Sequence, residues 1–229
     1  MDTINKLESE HFNLSTTEKL ASHPVISAAE SGTLNVECIK RFVLEQYYVI
    51  KSDTASLEAG LNLHGKTSAA YKEFFEVFLS GEKFLKEMHL KMADALHISE
   101  KELDNYQPSH LCQAYPSKFC QLVHQSDPSI VAIAFAVNFP AWGLMCGRFK
   151  AALLANYKDQ LGLTEDNLGF LSYCAEPTEW LPSLVDKVAS ASKSLSKYDF
   201  EISYKEIKDA VRLLQEYEVL FWDGVFEMQ

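Results

Sequence analysis

The chain predicts an all-α fold, a helical bundle of seven to eight helices, on three observations. Alternation of β-branched residues between Gly-rich turns nowhere persists for six residues, so strand signals are nearly absent. Apolar residues instead recur at the three-and-four spacing of a buried helix face over most of the chain. The intervening stretches run two to six residues, with no repeat and no room for a linker, so residues 1–229 read as a single domain.

Taken in order, a short amphipathic helix is expected near Thr3 to Phe12, and a second from Thr16 to Ser31, bent at Pro24 because proline pushes the preceding His23 out of the α region. Long helices follow from Val36 to Leu63, closed by His64 and Gly65, and from Thr67 to Leu96. Ser99 and Glu102, three apart, have the spacing of a capping box. A further helix is expected from Ser109 to His124. The next starts at Asp127, with Pro128 suited to the first helical position, and runs to Tyr157. Thr164 caps a segment to Cys174, Pro177 opens one to Leu195, and Ile202 to Met228 closes the chain.

The formal charge of -11, from 32 acidic and 21 basic residues, argues against a nucleic-acid partner, since a phosphate backbone is held by concentrated Lys and Arg. Five cysteines at irregular spacing, with no CxxC pair, fit neither a disulfide framework nor a structural zinc site and read as buried thiols. The longest apolar stretch, Ile130 to Met145, is interrupted by Asn138, Pro140 and Gly143, so it reads as a core helix, with no membrane partner expected. The opening residues are charged and lack a secretory pattern, which makes the cytoplasm the expected location.

In a bundle, ligand sites lie between helices and are built from inward-facing polar side chains, so polar residues that interrupt apolar stripes are the informative ones. Gln46 and Asp53 lie on the stripe of Ile39, Phe42, Val43, Ile50, Leu57 and Leu61. Glu82 and His89 lie on that of Phe75, Phe78, Leu79, Leu85, Met92 and Leu96. Asn138 falls inside the apolar run. On the closing helix Glu218 shares a face with Val211, Leu214, Phe221, Trp222 and Val225.

Each has a structural reading beside a functional one. Gln46 and Asp53 could make an interhelical hydrogen bond or face a ligand. Glu82 and His89 could be half of a metal site, but no histidine follows His124; the plainer reading sets Glu82 against solvent or a lysine and His89 at the bundle edge. Glu218 could form a salt bridge or, with a pKa raised by burial, shuttle a proton as an acid/base catalyst. Nucleophile motifs are weak: no Gly-x-Ser-x-Gly elbow is present, and Cys146, next to Gly147 and Arg148, reads more readily as an inert thiol than an activated one.

These residues resemble the TenA family, the thiaminase II-like proteins of the heme-oxygenase-like superfamily, over essentially the whole chain. The closing Glu218-x-x-Phe221-Trp222 is similar to the family's Glu-x-x-Phe-Trp helix. "KEMHLKMADALHISEKELDNYQPS", Lys86 to Ser109, resembles its Leu-His helix and following turn, and "SIVAIAFAVNFPAWGLMCGR", Ser129 to Arg148, its nucleophile helix. The resemblance implies a pocket for thiamin-derived aminopyrimidines, hydrolase chemistry in thiamine metabolism without cofactor or metal, and a homo-oligomer. It carries the catalytic acid/base to Glu218 and substrate contacts to Gln46, Tyr47, Tyr115, Asn138, Trp142, Tyr173 and Trp222.

The chain departs from the pattern at three points. The family's pocket Asp falls on Gln46, which removes a charge. Its nucleophilic Cys falls on Pro140, or on Ala141 in a register shifted by one, and neither can attack. Leu144 stands where a Tyr is expected. A sister branch that lacks the Cys carries a Glu on this helix, where the chain has Asn138 and Phe139. The fold's diiron oxidases are approached only by Glu82 and His89, since their later His has no counterpart between Ala175 and Trp180. The expectation is therefore a small-molecule pocket protein, a hydrolase acting through Glu218 without a thiol. Two alternatives are a non-catalytic binding protein and an atypical metal-dependent oxidase.

Overall fold

In the computed structural model, which describes residues 2–195 and 200–227, several helices begin where a side chain supplies an acceptor for the free N–H groups of a first turn. Two short helices, α1 (Asp2–Glu8) and α2 (His11–Ala21), precede α3 (Pro24–Glu30), whose N-cap His23 accepts the Val25 N–H at 3.2 Å. Asn35 caps α4 (Val36–His64) by accepting the Glu37 N–H at 3.0 Å, and Ser68 caps α5 (Ala69–Ala95). The capping box forms at α6 (Glu100–Asn105): Glu102 N–H donates to Ser99 Oγ at 3.3 Å and Ser99 N–H to Glu102 Oε2 at 2.9 Å. After α7 (Ala114–Gln125), Asp127 accepts the Ser129 N–H at 2.9 Å to start α8 (Pro128–Asn156). The chain continues through α9 (Lys158–Leu161), α10 (Gly169–Ala175), α11 (Leu181–Leu195) and α12 (Phe200–Phe226).

Twelve helical segments among the described residues replace the seven to eight expected, for local reasons. The first expected helix breaks at Ser9 and Glu10, Pro24 divides the second, and the capped turn at Ser99 propagates into α6. Gly162, at φ +65°, stops α9 in the left-handed conformation that glycine tolerates. Three starts come a turn or more later than expected, at Ala114, Gly169 and Leu181. At the second, Thr164 and Asn167 cap one another in a turn that α10 follows. The expected terminus at Met228 lies outside the described residues.

Helix α8 is the axis of the bundle. Pro128 through Asn138 are all buried, and α12, α10, α3 and α11 pack around the helix. By length and composition α8 could cross a membrane, but most of its apolar stretch is covered by these neighbours. One apolar cluster gathers around Phe42, Phe149, Phe170 and Trp222, another around Phe74, Phe78, Phe119 and Phe135, and Tyr115 packs against both. Gly60 lets α4 and α5 approach closely, since a Cβ there would stand 2.2 Å from the Phe75 ring. Pro140, within α8, removes an N–H that would otherwise bond the carbonyl of Ala136.

Candidate functional site

A cavity of about 1180 Å³ opens between the two apolar clusters. Helix α4 contributes Gln46 and Asp53 to its wall, two turns apart on one face, and α5 contributes Phe78 and Glu82. Tyr115 enters from α7, Asn138, Pro140, Trp142 and Leu144 from α8, Phe170, Tyr173 and Cys174 from α10, and Glu218 and Phe221 from α12. Phe84, Leu144, Tyr173 and Trp180 are exposed lining residues that surround the pocket with apolar surface, Phe84 and Tyr173 meeting edge to face at 5.4 Å.

Glu218 is 3% exposed, and neither of its carboxyl oxygens has a hydrogen-bond partner of ordinary geometry. Burial raises its pKa from 4.5 to about 8, opposed in part by the neighbouring Asn138 side chain. Asn138 is itself buried with its Oδ1 unsatisfied. These orphaned groups line a cavity large enough for a ligand or water, and an uncompensated polar group costs about 1–3 kcal/mol where neither reaches it.

Asp53 and Glu82 meet across the α4 and α5 interface. Burial holds Glu82 up to about 8, and burial followed by the charge of Glu82 raises Asp53 well above the usual carboxylate range. Glu82 is half-buried and lines the cavity, while Lys83 beside it pairs with Glu58 at 3.6 Å. His89 is fully buried and not at the bundle edge, set between Tyr47 at 6.0 Å and the edge of Phe170 at 5.3 Å. Burial lowers its pKa to about 4, partly offset by the Val43 backbone, so its ring is neutral at physiological pH. Among the described residues no three His, Cys, Asp or Glu side chains are grouped as metal ligands.

Of the residues expected to contact substrate, Gln46, Tyr115, Asn138, Trp142 and Tyr173 share this cavity with Glu218. Two do not line it. Tyr47, one residue past Gln46, points about 100° away around the helix, donating to Asp104 at 3.3 Å. Trp222 is fully buried, stacked on Phe42 at 5.4 Å and packed against Trp142 and Phe149 at 5.6 and 5.7 Å; it braces the wall from behind. Sequence reasoning noticed Asp53 and Glu82 but did not place them in the site, and it missed Cys174.

No thiol faces the cavity from α8. Pro140 lines it and Ala141 is buried in the apolar core. Cys146, fully buried beside Cys174, has its pKa raised by burial and by that second thiol. Arg148 does not activate it, because Nε and Nη2 each donate to Glu30 at 2.9 Å and Nη1 donates to the Ala21 carbonyl. Cys174 and Cys120 are only partly buried, contrary to the expectation of five buried thiols. A Cβ on Gly143 would lie 3.0 Å from the Cys174 carbonyl oxygen, so glycine there allows α10 to close against α8 as one wall.

A bundle of this architecture with a side pocket is a heme-oxygenase-like fold, the description attached to a similar domain of unknown function from Shewanella denitrificans. That structure is 13% identical, with a TM-score of 0.70 over 98% of this chain and 92% of that one. The TENA/THI-4/PQQC family matches residues 13–228, and the chain belongs to it. A TenA homologue from Pseudomonas syringae pv. tomato superposes with a TM-score of 0.72 at 11% identity, covering 96% of this chain and 91% of that one. One from Pyrococcus furiosus gives 0.72 at 15%, covering 98% and 100%. No curated protein sequence matches significantly.

Proposed function

We propose that the protein is a hydrolase of thiamin-derived aminopyrimidines in which Glu218 is the acid/base and water the nucleophile. The observation that carries this reading is the Glu218 carboxyl, buried without a hydrogen-bond partner of ordinary geometry on the wall of an aromatic-lined cavity. With a pKa of about 8 it holds its proton at neutral pH and acts first as an acid. It protonates the pyrimidine ring next to the amine-bearing carbon; the resulting carboxylate takes a proton from the attacking water and passes it to the amine of the tetrahedral adduct, which leaves as ammonia, and the carboxyl is restored by a proton from the hydroxylated product. One C–O bond forms and one C–N bond breaks, with no change in oxidation state. Asn138 and Tyr115, on the same cavity wall, are suited to hold the pyrimidine, and Tyr173 to stack on it at the rim.

Incubation with aminopyrimidines and detection of ammonia or formate tests this. Turnover by wild type is expected, and a rate no higher than that of Glu218→Gln would contradict it.

A second reading, a non-catalytic small-molecule receptor, is favoured by the absence of any thiol or carboxylate on the cavity face of α8, where Asn138, Pro140 and Leu144 stand. Native mass spectrometry with a metabolite library tests it: retained ligand without turnover supports a receptor. A pocket that stays empty throughout argues against it.

A further inference from the structure

Resting on the reading of this cavity as a ligand site, we propose that Asp53 and Glu82 form a second polar subsite within it, which takes an N–H-bearing organic cation: a primary ammonium, an amidinium or a guanidinium. The subsite is distinct from Glu218. It is built by two other helices, α4 and α5, whose Asp53 and Glu82 both line the cavity.

Three observations carry the assignment. Asp53 is 5% exposed and lines the cavity, yet its Oδ1 has no hydrogen-bond partner; a buried carboxyl oxygen left in this state accepts from whatever enters. The lining is also strongly one-signed. It holds Asp53, Glu76, Glu82, Glu176 and Glu218 against a single cation, Arg148, which is already engaged by Glu30 and the Ala21 carbonyl. Finally, the Tyr115 hydroxyl lies within the field of Asp53, Glu82 and Glu218 together, so the acidic groups act on one shared space.

The chemistry of the ligand follows. Burial keeps these carboxyls protonated in the empty cavity; an entering cation favours their ionised form and gains a counter-ion, whereas an anion finds no positive group free to pair with it. The orphaned oxygen needs a hydrogen-bond donor, so a protonated or delocalised N–H cation satisfies it and a quaternary ammonium does not. Tyr115 and Phe170 also line the cavity and offer aromatic rings that a bound cation can meet.

Calorimetric titration of the full chain with 1,4-diaminobutane and with agmatine tests the subsite, with tetramethylammonium and 1-butanol as the quaternary and neutral controls. Both amines are expected to bind, the controls to bind at least about tenfold more weakly, and Asp53→Asn with Glu82→Gln to lose at least about tenfold in amine affinity. Glu218→Gln is expected to keep most of it. Glu82→Gln alone, which mimics the protonated carboxyl, supplies the same comparison should the double variant fold poorly. No amine binding up to millimolar concentration, equal binding of tetramethylammonium, or undiminished affinity in the Glu82→Gln protein would overturn the subsite. Ammonia release from aminopyrimidines, followed on the same preparations, separates this from the proposed function: amine binding without turnover keeps the subsite and rejects the hydrolase, and turnover without amine binding does the reverse.

Discussion

Glu45 and Glu218 are both buried glutamates on long helices, 0% and 3% exposed, yet their surroundings differ completely. Glu45 accepts the Tyr106 hydroxyl at 2.7 Å and the Ser109 N–H at 3.0 Å, with Arg41 Nε at 3.7 Å. Glu218 has no hydrogen-bond partner of ordinary geometry, only the neighbouring Asn138 side chain, and lies on the wall of a cavity. The first ties α4 to the segment between α6 and α7. The second has been left for something the protein itself does not contain. Burial alone does not separate a structural carboxylate from a functional one; the count of satisfied lone pairs does.

Exchanging the two roles by mutation should break the molecule in opposite ways. The largest effect is expected from Glu218→Gln, which keeps the shape but cannot move a proton, and should lower aminopyrimidine turnover by about 10²–10⁴-fold while leaving the melting temperature unchanged or higher. Steady-state kinetics beside calorimetry checks both halves.

A pH series sharpens the contrast. Because the folded pKa of Glu218 is about 8 and its ordinary value 4.5, the native state keeps a proton that the unfolded state has released between those limits. Stability should therefore fall as pH rises from about 4.5 to about 8 and flatten above it, by a few kcal/mol in all. Glu82, also held up to about 8, adds to the same slope, and Glu218→Gln should remove part of it in urea unfolding.

Glu45→Ala should do the converse. It strands the Tyr106 hydroxyl and the Ser109 N–H and is expected to cost about 3 kcal/mol of stability with little change in kcat of the surviving fold. The smallest effect belongs far from both. Ser99→Ala, which removes half of the capping box, should cost about 1 kcal/mol in denaturant unfolding and leave ligand binding untouched.

The contrast also explains what was legible in the sequence. Helix starts were readable wherever a side chain supplies the cap, as at Asn35, Ser99 and Asp127, because that bond is local. Subdivision of the chain into shorter helices was less so: nothing near Glu10 reads as a strong breaker, and Pro177 precedes its helix by a turn. Glu218 and Asn138 stood out because each interrupts an apolar stripe, a one-dimensional signal. That Asp53 and Glu82 confront one another depends on how closely α4 approaches α5, which Gly60 permits and no stripe records. Tyr47 shows the reverse error. A motif match names neighbouring residues without saying which one faces inward, and on a helix one position decides it. Glu45, two positions before Tyr47, carried no warning that it would be the satisfied member of the pair.

The central claim, that Glu218 is a protonated, unpartnered carboxyl facing a ligand cavity, is tested most directly by titrating its side-chain carboxyl by ¹³C NMR in the ligand-free protein, assigned by comparison with Glu218→Gln. The account predicts a midpoint near 8. A midpoint in the ordinary range near 4.5 would contradict it.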